Sequence, residues 1–203
     1  MASSHLRRRI GAVCVIGVSL TAPVGAAPTD KPVAKPPVWT PDRSVHDRLA
    51  APVRFGAYQI QPPKDYVAQS QPGPEGSTAT AWVGAQRTDG TRPYVTVMLL
   101  APPPGEAGAY TPDQVLIKLT DAIARRRTNW KQTPTESGTV NGHVFVRTRW
   151  EGTDPASNRR MHGFNYVTRD GATFVQISSQ DVEPYDRAAL PLAEASALTF
   201  RKP

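Results

Sequence analysis

The feature that most constrains the fold is the stretch Asn141–Asp181, where two turn dipeptides punctuate β-type sequence. Asn141-Gly142 and Asp170-Gly171 both suit the two-residue hairpin turn whose central residues take φ > 0. The stretch therefore reads as three successive antiparallel strands. With Asp170-Gly171 as the turn, Thr168 faces Thr173, Tyr166 faces Val175, Phe164 faces Ile177 and His162 faces Ser179. Phe164, Tyr166, Val175 and Ile177 then share one apolar face, which is what a sheet needs to seed a core.

The other elements build around that sheet. Phe55–Ile60 alternates as a first strand, stopped by Pro62-Pro63, and 70–76 is a Pro/Gly loop. Ala79–Arg87 and Tyr94–Leu100, joined through Asp89-Gly90, form a second hairpin. Tyr94–Leu100 carries apolar residues at both parities, the pattern of a strand covered on two sides. Thr111-Pro112-Asp113 opens a helix with an N-cap, a proline at the first helical position and an acid in the first turn. Val115, Leu116, Leu119, Ala122, Ile123 and Trp130 extend its apolar stripe at helical spacing. Arg125-Arg126-Arg127 follows at the end of that helix, where the dipole favours cations. A second helix is expected between Pro184 and Ala197, interrupted or bent at Pro191, before Phe200 plugs the core. Tight turns with inserted helices give an α+β domain, an antiparallel sheet of about six or seven strands flanked by helices.

The first 53 residues have a distinct character. Residues 1–26 have the form of a secretory signal: Arg7, Arg8 and Arg9, an apolar run from Ile10 to Ala22, and small residues at Val24-Gly25-Ala26. That run is shorter than the ~20 apolar residues of a membrane span. Cys14 lies inside it and is preceded by Val13, which argues against a lipid attachment site. Residues 27–53, rich in proline, read as an extended or disordered tether, with 54–203 as a single domain. The expected address is export, to a periplasm or beyond, with no membrane span after signal cleavage.

Removal of the signal takes the single cysteine away, and with it disulfides, thiol nucleophiles and thiolate metal sites. It also reduces the 24 basic residues to 21 against 17 acidic ones. That modest excess gives no footing for nucleic-acid binding.

The pattern resembles the PsbP-like superfamily, the α/β/α sandwich of extrinsic oxygen-evolving-complex subunits and of the Ran-binding nuclear-import factor. The matching motifs are Tyr58-Gln59-Ile60 followed by Pro62-Pro63-Lys64-Asp65-Tyr66, the long helix ending in Asn129-Trp130, the Asn141-Gly142 turn, and the Ala-rich closing helix with Leu198-Thr199-Phe200. The resemblance covers about Phe55 to Phe200 and implies a fold more than a task. Members of the superfamily mostly bind proteins or have no known activity, and no functional residue of theirs has a counterpart here.

Three chemistries can be weighed from the residues. Ser179, His162 and Asp181 are the types of a nucleophile, base and orienting acid, but the chain has no G-x-S-x-G elbow and no evident oxyanion donors. His46, His143 and His162 lack metal-ligand spacing, Asp154–Asn158 offers one carboxylate, and no glycine-rich phosphate loop is present, so neither metal nor cofactor is expected. Arg147 and Arg149 share a strand face with His143 and Phe145, and Arg159 and Arg160 follow. These four could form an acidic-partner surface. The rival arrangement pairs them internally, with Glu136 opposite Arg147. The leading expectation is a non-enzymatic exported domain that contacts a protein or envelope component. A serine hydrolase using Ser179 and His162, or a carrier of a small acidic ligand, are the alternatives.

Overall fold

The computed structural model describes residues 35–72, 77–102 and 108–203. The signal expected at 1–26, and the tether as far as residue 34, lie outside the described residues.

The elements run in the order α1 (Arg43–His46), β1 (Val53–Phe55), β2 (Tyr58–Ile60), β3 (Val67–Pro72), β4 (Thr78–Val83), β5 (Tyr94–Leu100), α2 (Pro112–Ala124), β6 (Thr128–Gln132), β7 (Glu136–Val140), β8 (His143–Asp154), β9 (Arg159–Asp170), β10 (Thr173–Val182) and α3 (Asp186–Ala197). β1 and β2 form a separate two-stranded sheet. The other eight form an antiparallel sheet in the order β3-β4-β5-β10-β9-β8-β6, with β7 also paired to β8. The fold is α+β, as the turn pattern predicts, with one strand more than the upper expectation in the main sheet.

The three long strands β8, β9 and β10 are the sheet's centre. Asn141 and Gly142 both take positive φ, 46° and 87°, so their turn has the expected form. The second turn differs. Thr173 pairs with Asp170, so the loop residues are Gly171 and Ala172, with Gly171 at φ 60°. This suits the alternative two-residue turn that wants glycine first. The shift moves every residue's partner by two positions along the strand, and because the change in register is even each side chain stays on its expected face. Phe164 now faces Ser179, and His162 faces Asp181.

The sheet has a core on each face. On one, Val95, Val97, Phe145, Phe164, Tyr166, Val175 and Ile177 meet α3, the β1–β2 hairpin and Phe200. Phe200 is fully buried against Phe55, Tyr58 and Phe145. On the other, Val146, Val167 and Phe174 meet Val115, Leu116 and Leu119 of α2. The α2 N-terminus carries a full capping box, Thr111 with Gln114, and Pro112 in its first turn. Pro191 sits inside α3 without ending it.

Four local expectations are corrected. Phe55–Ile60 is two strands rather than one, folded at Gly56 (φ 57°). Part of the predicted Pro/Gly loop is strand β3, whose ladder to β4 runs from Val67 to Pro72. Trp130 does not continue α2: the helix stops at Ala124 and Trp130 lies in β6, stacked on Trp150 at 5.2 Å. An aromatic at helical spacing was equally compatible with a strand, and pairing with β8 decided it. The tether is docked from Val38 onward: Val38 bridges Thr139, Trp39 packs edge-on to Tyr166, and Leu49 bridges Pro63.

Candidate functional site: a polar cavity beneath the long helix

The residues expected to do chemistry are held apart by their own partners. Ser179 donates its hydroxyl to the Tyr94 carbonyl at 2.6 Å. His162 Nδ1 is 2.6 Å from Asp186 Oδ2. Asp181 accepts both arms of the Arg87 guanidinium, at 2.7 and 2.6 Å. The pairing of His162 with Ser179 was a product of the register difference. His162 and Asp181 are cross-strand neighbours, but each of the three side chains is bonded to a different partner rather than to one another.

The four arginines likewise have internal partners. Arg147 donates to Glu136 at 2.8 and 2.9 Å and to the Tyr166 hydroxyl at 2.9 Å, and its guanidinium lies 4.0 Å from the centre of the Trp39 ring. Arg149 reaches Glu194 at 2.6 Å, Arg159 reaches Asp89 at 2.7 Å, and Arg160 reaches Glu151 at 2.7 Å. The hydrogen bonds from Lys131 and Arg160 hold the Glu151 carboxyl at about 2. Glu136 opposes Arg147 in the ladder, as the hairpin pattern predicts. Arg147 and Arg149 meet at Glu194, while Arg159 and Arg160 serve Asp89, Glu151 and Glu183, so the four do not converge on one anion.

The convergent feature lies on the other sheet face. The ladders put Thr148, Asn165, Ser178 and Thr96 in one cross-strand row over β8, β9, β10 and β5. Trp150 and Gln176 flank that row. A sheet face buried under an amphipathic helix ordinarily carries Val, Ile or Leu at such positions. Here Asn165 is 0%, Trp150 4%, and Thr96 and Gln176 each 7% exposed.

Between this row and the C-terminal half of α2 lies a cavity of about 120 Å³. Leu119, Ile123, Arg126 and Arg127 line it from the helix side, and Met98, Trp150 and Phe164 are among the sheet residues. A site for one water needs ~10–15 Å³ on this measure, and an apolar cavity of about 150 Å³ holds benzene. The space therefore suits a group of a few heavy atoms.

Five buried polar atoms on the cavity's lining residues have no hydrogen-bond partner among the described residues: Thr96 Oγ1, Arg127 Nε, Trp150 Nε1, Asn165 Nδ2 and Gln176 Oε1. One further atom of this kind among the described residues, Asp186 Oδ1, lies elsewhere. Gln176 Nε2 donates to Asn165 Oδ1 at 3.1 Å. Reversing both amides would exchange the roles and still leave one NH₂ and one carbonyl unused. Gly163 lets the Trp150 ring lie flat on the strand, since a Cβ there would come within 2.4 Å of the indole.

A second depression, wider and shallower at about 610 Å³, lies beside Arg48, Lys64, Tyr66, Arg87 and Tyr185. One of its cations, Arg87, is neutralised by Asp181. The sequence reading missed the cavity because Asn165, Gln176 and Ser178 alternate with apolar residues, which is also how a solvated face looks. The signal that could have found it was the matched position of polar residues on four strands, beneath a helix with an apolar stripe.

No family model and no curated protein matches the chain. Solved structures do match. LpqN of Mycobacterium tuberculosis, involved in cell envelope biogenesis, superposes with a TM-score of 0.53 at 13% identity, covering 82% of this chain and 99% of LpqN. The cyanobacterial PsbP protein CyanoP, from Synechocystis sp. PCC 6803, superposes with a TM-score of 0.51 at 14% identity, covering 88% of this chain and 100% of CyanoP. At that level of identity the likeness concerns architecture: the chain shares the α+β sandwich of PsbP and LpqN.

Proposed function

We propose that this chain is an exported domain that works by binding a component of the cell envelope, with the cavity beneath α2 as the place where part of that component is held. The observation that carries this reading is the gathering of unpaired polar atoms around one space. Leaving a buried donor or acceptor unsatisfied costs ~1–3 kcal/mol. A sheet selected for stability alone would replace such residues by aliphatic ones. Their retention side by side is what a recognition site requires.

Two further observations support the envelope setting. The first 26 residues have the form of a secretory signal, and LpqN, with the same architecture, is involved in cell envelope biogenesis. No helix among the described residues is long and apolar enough to cross a membrane. The alternatives have less support: Ser179 already donates its proton to a backbone carbonyl, and Arg147 and Arg149 are occupied by Glu136 and Glu194.

Hydrogen exchange of the mature domain, with and without a solubilised envelope fraction, tests the reading. Slowed exchange in 112–124 and in the central parts of β8, β9 and β10 is expected. Protection confined to the surface of Arg149 and Arg160, or none anywhere, would count against the cavity.

A further inference from the structure

We infer that the group held in the cavity is a neutral amide, of the kind found in an N-acyl substituent or a peptide bond. The inference rests on the cavity being the binding site and specifies what enters it. Asn165 and Gln176 together leave one free N–H donor and one free carbonyl acceptor, whichever way the two amides are turned. Trp150 adds a donor that can never accept, and Thr96 adds a hydroxyl that can do either. The ligand must therefore accept at least two hydrogen bonds and donate at least one. An amide does so with one carbonyl oxygen and one N–H.

Charged groups fit the same set poorly. A carboxylate has no proton for the Gln176–Asn165 carbonyl, and an ammonium has nothing to accept from Trp150. The Arg127 guanidinium, on the helix side, already faces Asp154 at 3.8 Å, so an entering anion would have to compete with that carboxylate for it. The apolar contribution of Met98, Leu119 and Ile123 suits methyl or methylene groups on either side of the amide. A free hydroxyl could meet the same polar requirement but would leave those walls uncovered.

The test is titration of the mature domain with N-methylacetamide, read from the indole N–H resonance of Trp150 and the side-chain NH₂ resonances of Asn165 and Gln176. Saturable shifts of all three are expected, with a millimolar dissociation constant on the order of what about five heavy atoms can supply. N,N-dimethylacetamide, which lacks the N–H, should bind about tenfold more weakly. Acetate should bind more weakly still.

Ile123→Trp, which fills the space from the helix side and leaves the polar row intact, should abolish the shifts with the melting temperature retained. N-acetylglucosamine and N-acetylglycine N-methylamide, run in parallel, distinguish an acyl-sugar source from a peptide source, and tighter binding of either supports the amide. Equal binding of acetate or dimethylacetamide would overturn the amide while leaving the cavity as a binding site. An absence of saturable shifts with every probe would also overturn it. The exchange experiment with envelope material would then decide separately whether the cavity binds at all.

Discussion

Gly163→Ala tests whether the Trp150 indole occupies the place of a side chain on the neighbouring strand. On intrinsic grounds the change should help, because a glycine inside a strand costs ~0.5–1 kcal/mol relative to alanine. The packing says the opposite. The new Cβ would fall 2.4 Å and 2.6 Å from two indole carbons and 2.8 Å from the Ser179 carbonyl oxygen. Forcing an extra methyl into such a site costs ~1–3 kcal/mol. Displacing the indole also disturbs its stack on Trp130, at 5.2 Å and 22°, and such pairs are worth ~0.5–1.5 kcal/mol. Setting the helpful term against the harmful ones leaves a net loss of about 2 kcal/mol. For a domain of this size that lowers the melting temperature by ~4–8 °C.

Urea unfolding followed by circular dichroism gives the free energy directly. A parallel cycle with Trp150→Val should show coupling of about 1 kcal/mol, with part of the penalty remaining because the Ser179 carbonyl stays in place. An alanine variant as stable as the parent, or more stable, would refute the account of Gly163 and the position of the cavity wall.

Three further outcomes follow from contacts on the opposite face. Arg147→Lys should destabilise the domain by about 1–2 kcal/mol, since a lysine cannot reproduce the forked contact to Glu136 and the stack on Trp39; chemical denaturation that matches the parent would contradict this. Trp39→Ala should loosen the docked arm, seen as new protease cleavage between residues 39 and 50, because its indole packs on Tyr166 and sits where Gly138 leaves room for it. Burial, with a hydrogen bond to Asp170, raises the Tyr58 phenol to about 12, so its contribution is complete below the ordinary tyrosine value near ~10 and is lost as pH rises through about 12; Tyr58→Phe should flatten the stability profile across that window, and an unchanged alkaline limb would speak against the contact.

The faces of the central strands were legible in the sequence, and the pairing between them was legible only in part. Alternation alone puts Phe164, Tyr166, Val175 and Ile177 on one side, and they are there. Which residue of that side meets which depends on the turn, and Asp170-Gly171-Ala172 admits two loops that differ by one position. That single step separated His162 from Ser179. Glu136 opposite Arg147 came out as expected because Asn141-Gly142 leaves no such choice. β3 and β6 were missed because their evidence is non-local: Val67–Pro72 and Thr128–Gln132 become strands only by pairing with β4 and β8. Glu136 was recognised as the partner of Arg147, but Glu194, far away in sequence, is what neutralises Arg149 and adds a second contact to Arg147. The cavity depends on four strands and a helix at once, and no local pattern encodes it.

The two margins of the main sheet differ in how they meet the surroundings. Along the outer side of β8, pairing is divided between β6 and β7, each five residues long, and Val38 bridges part of β7. A divided, partly covered margin is a poor template for another chain. The opposite margin is β3, six residues without a charge, and Val67 is 66% exposed on it. Lys and Glu, the residues that commonly discourage strand addition, are missing there, and Pro72 interrupts the donors only at its end. Among the described residues the sheet is consequently handed in its capacity for association: a strand from another molecule, whether an intended partner or a misfolded copy, would meet an unpaired ladder at β3 and a broken one at β6 and β7.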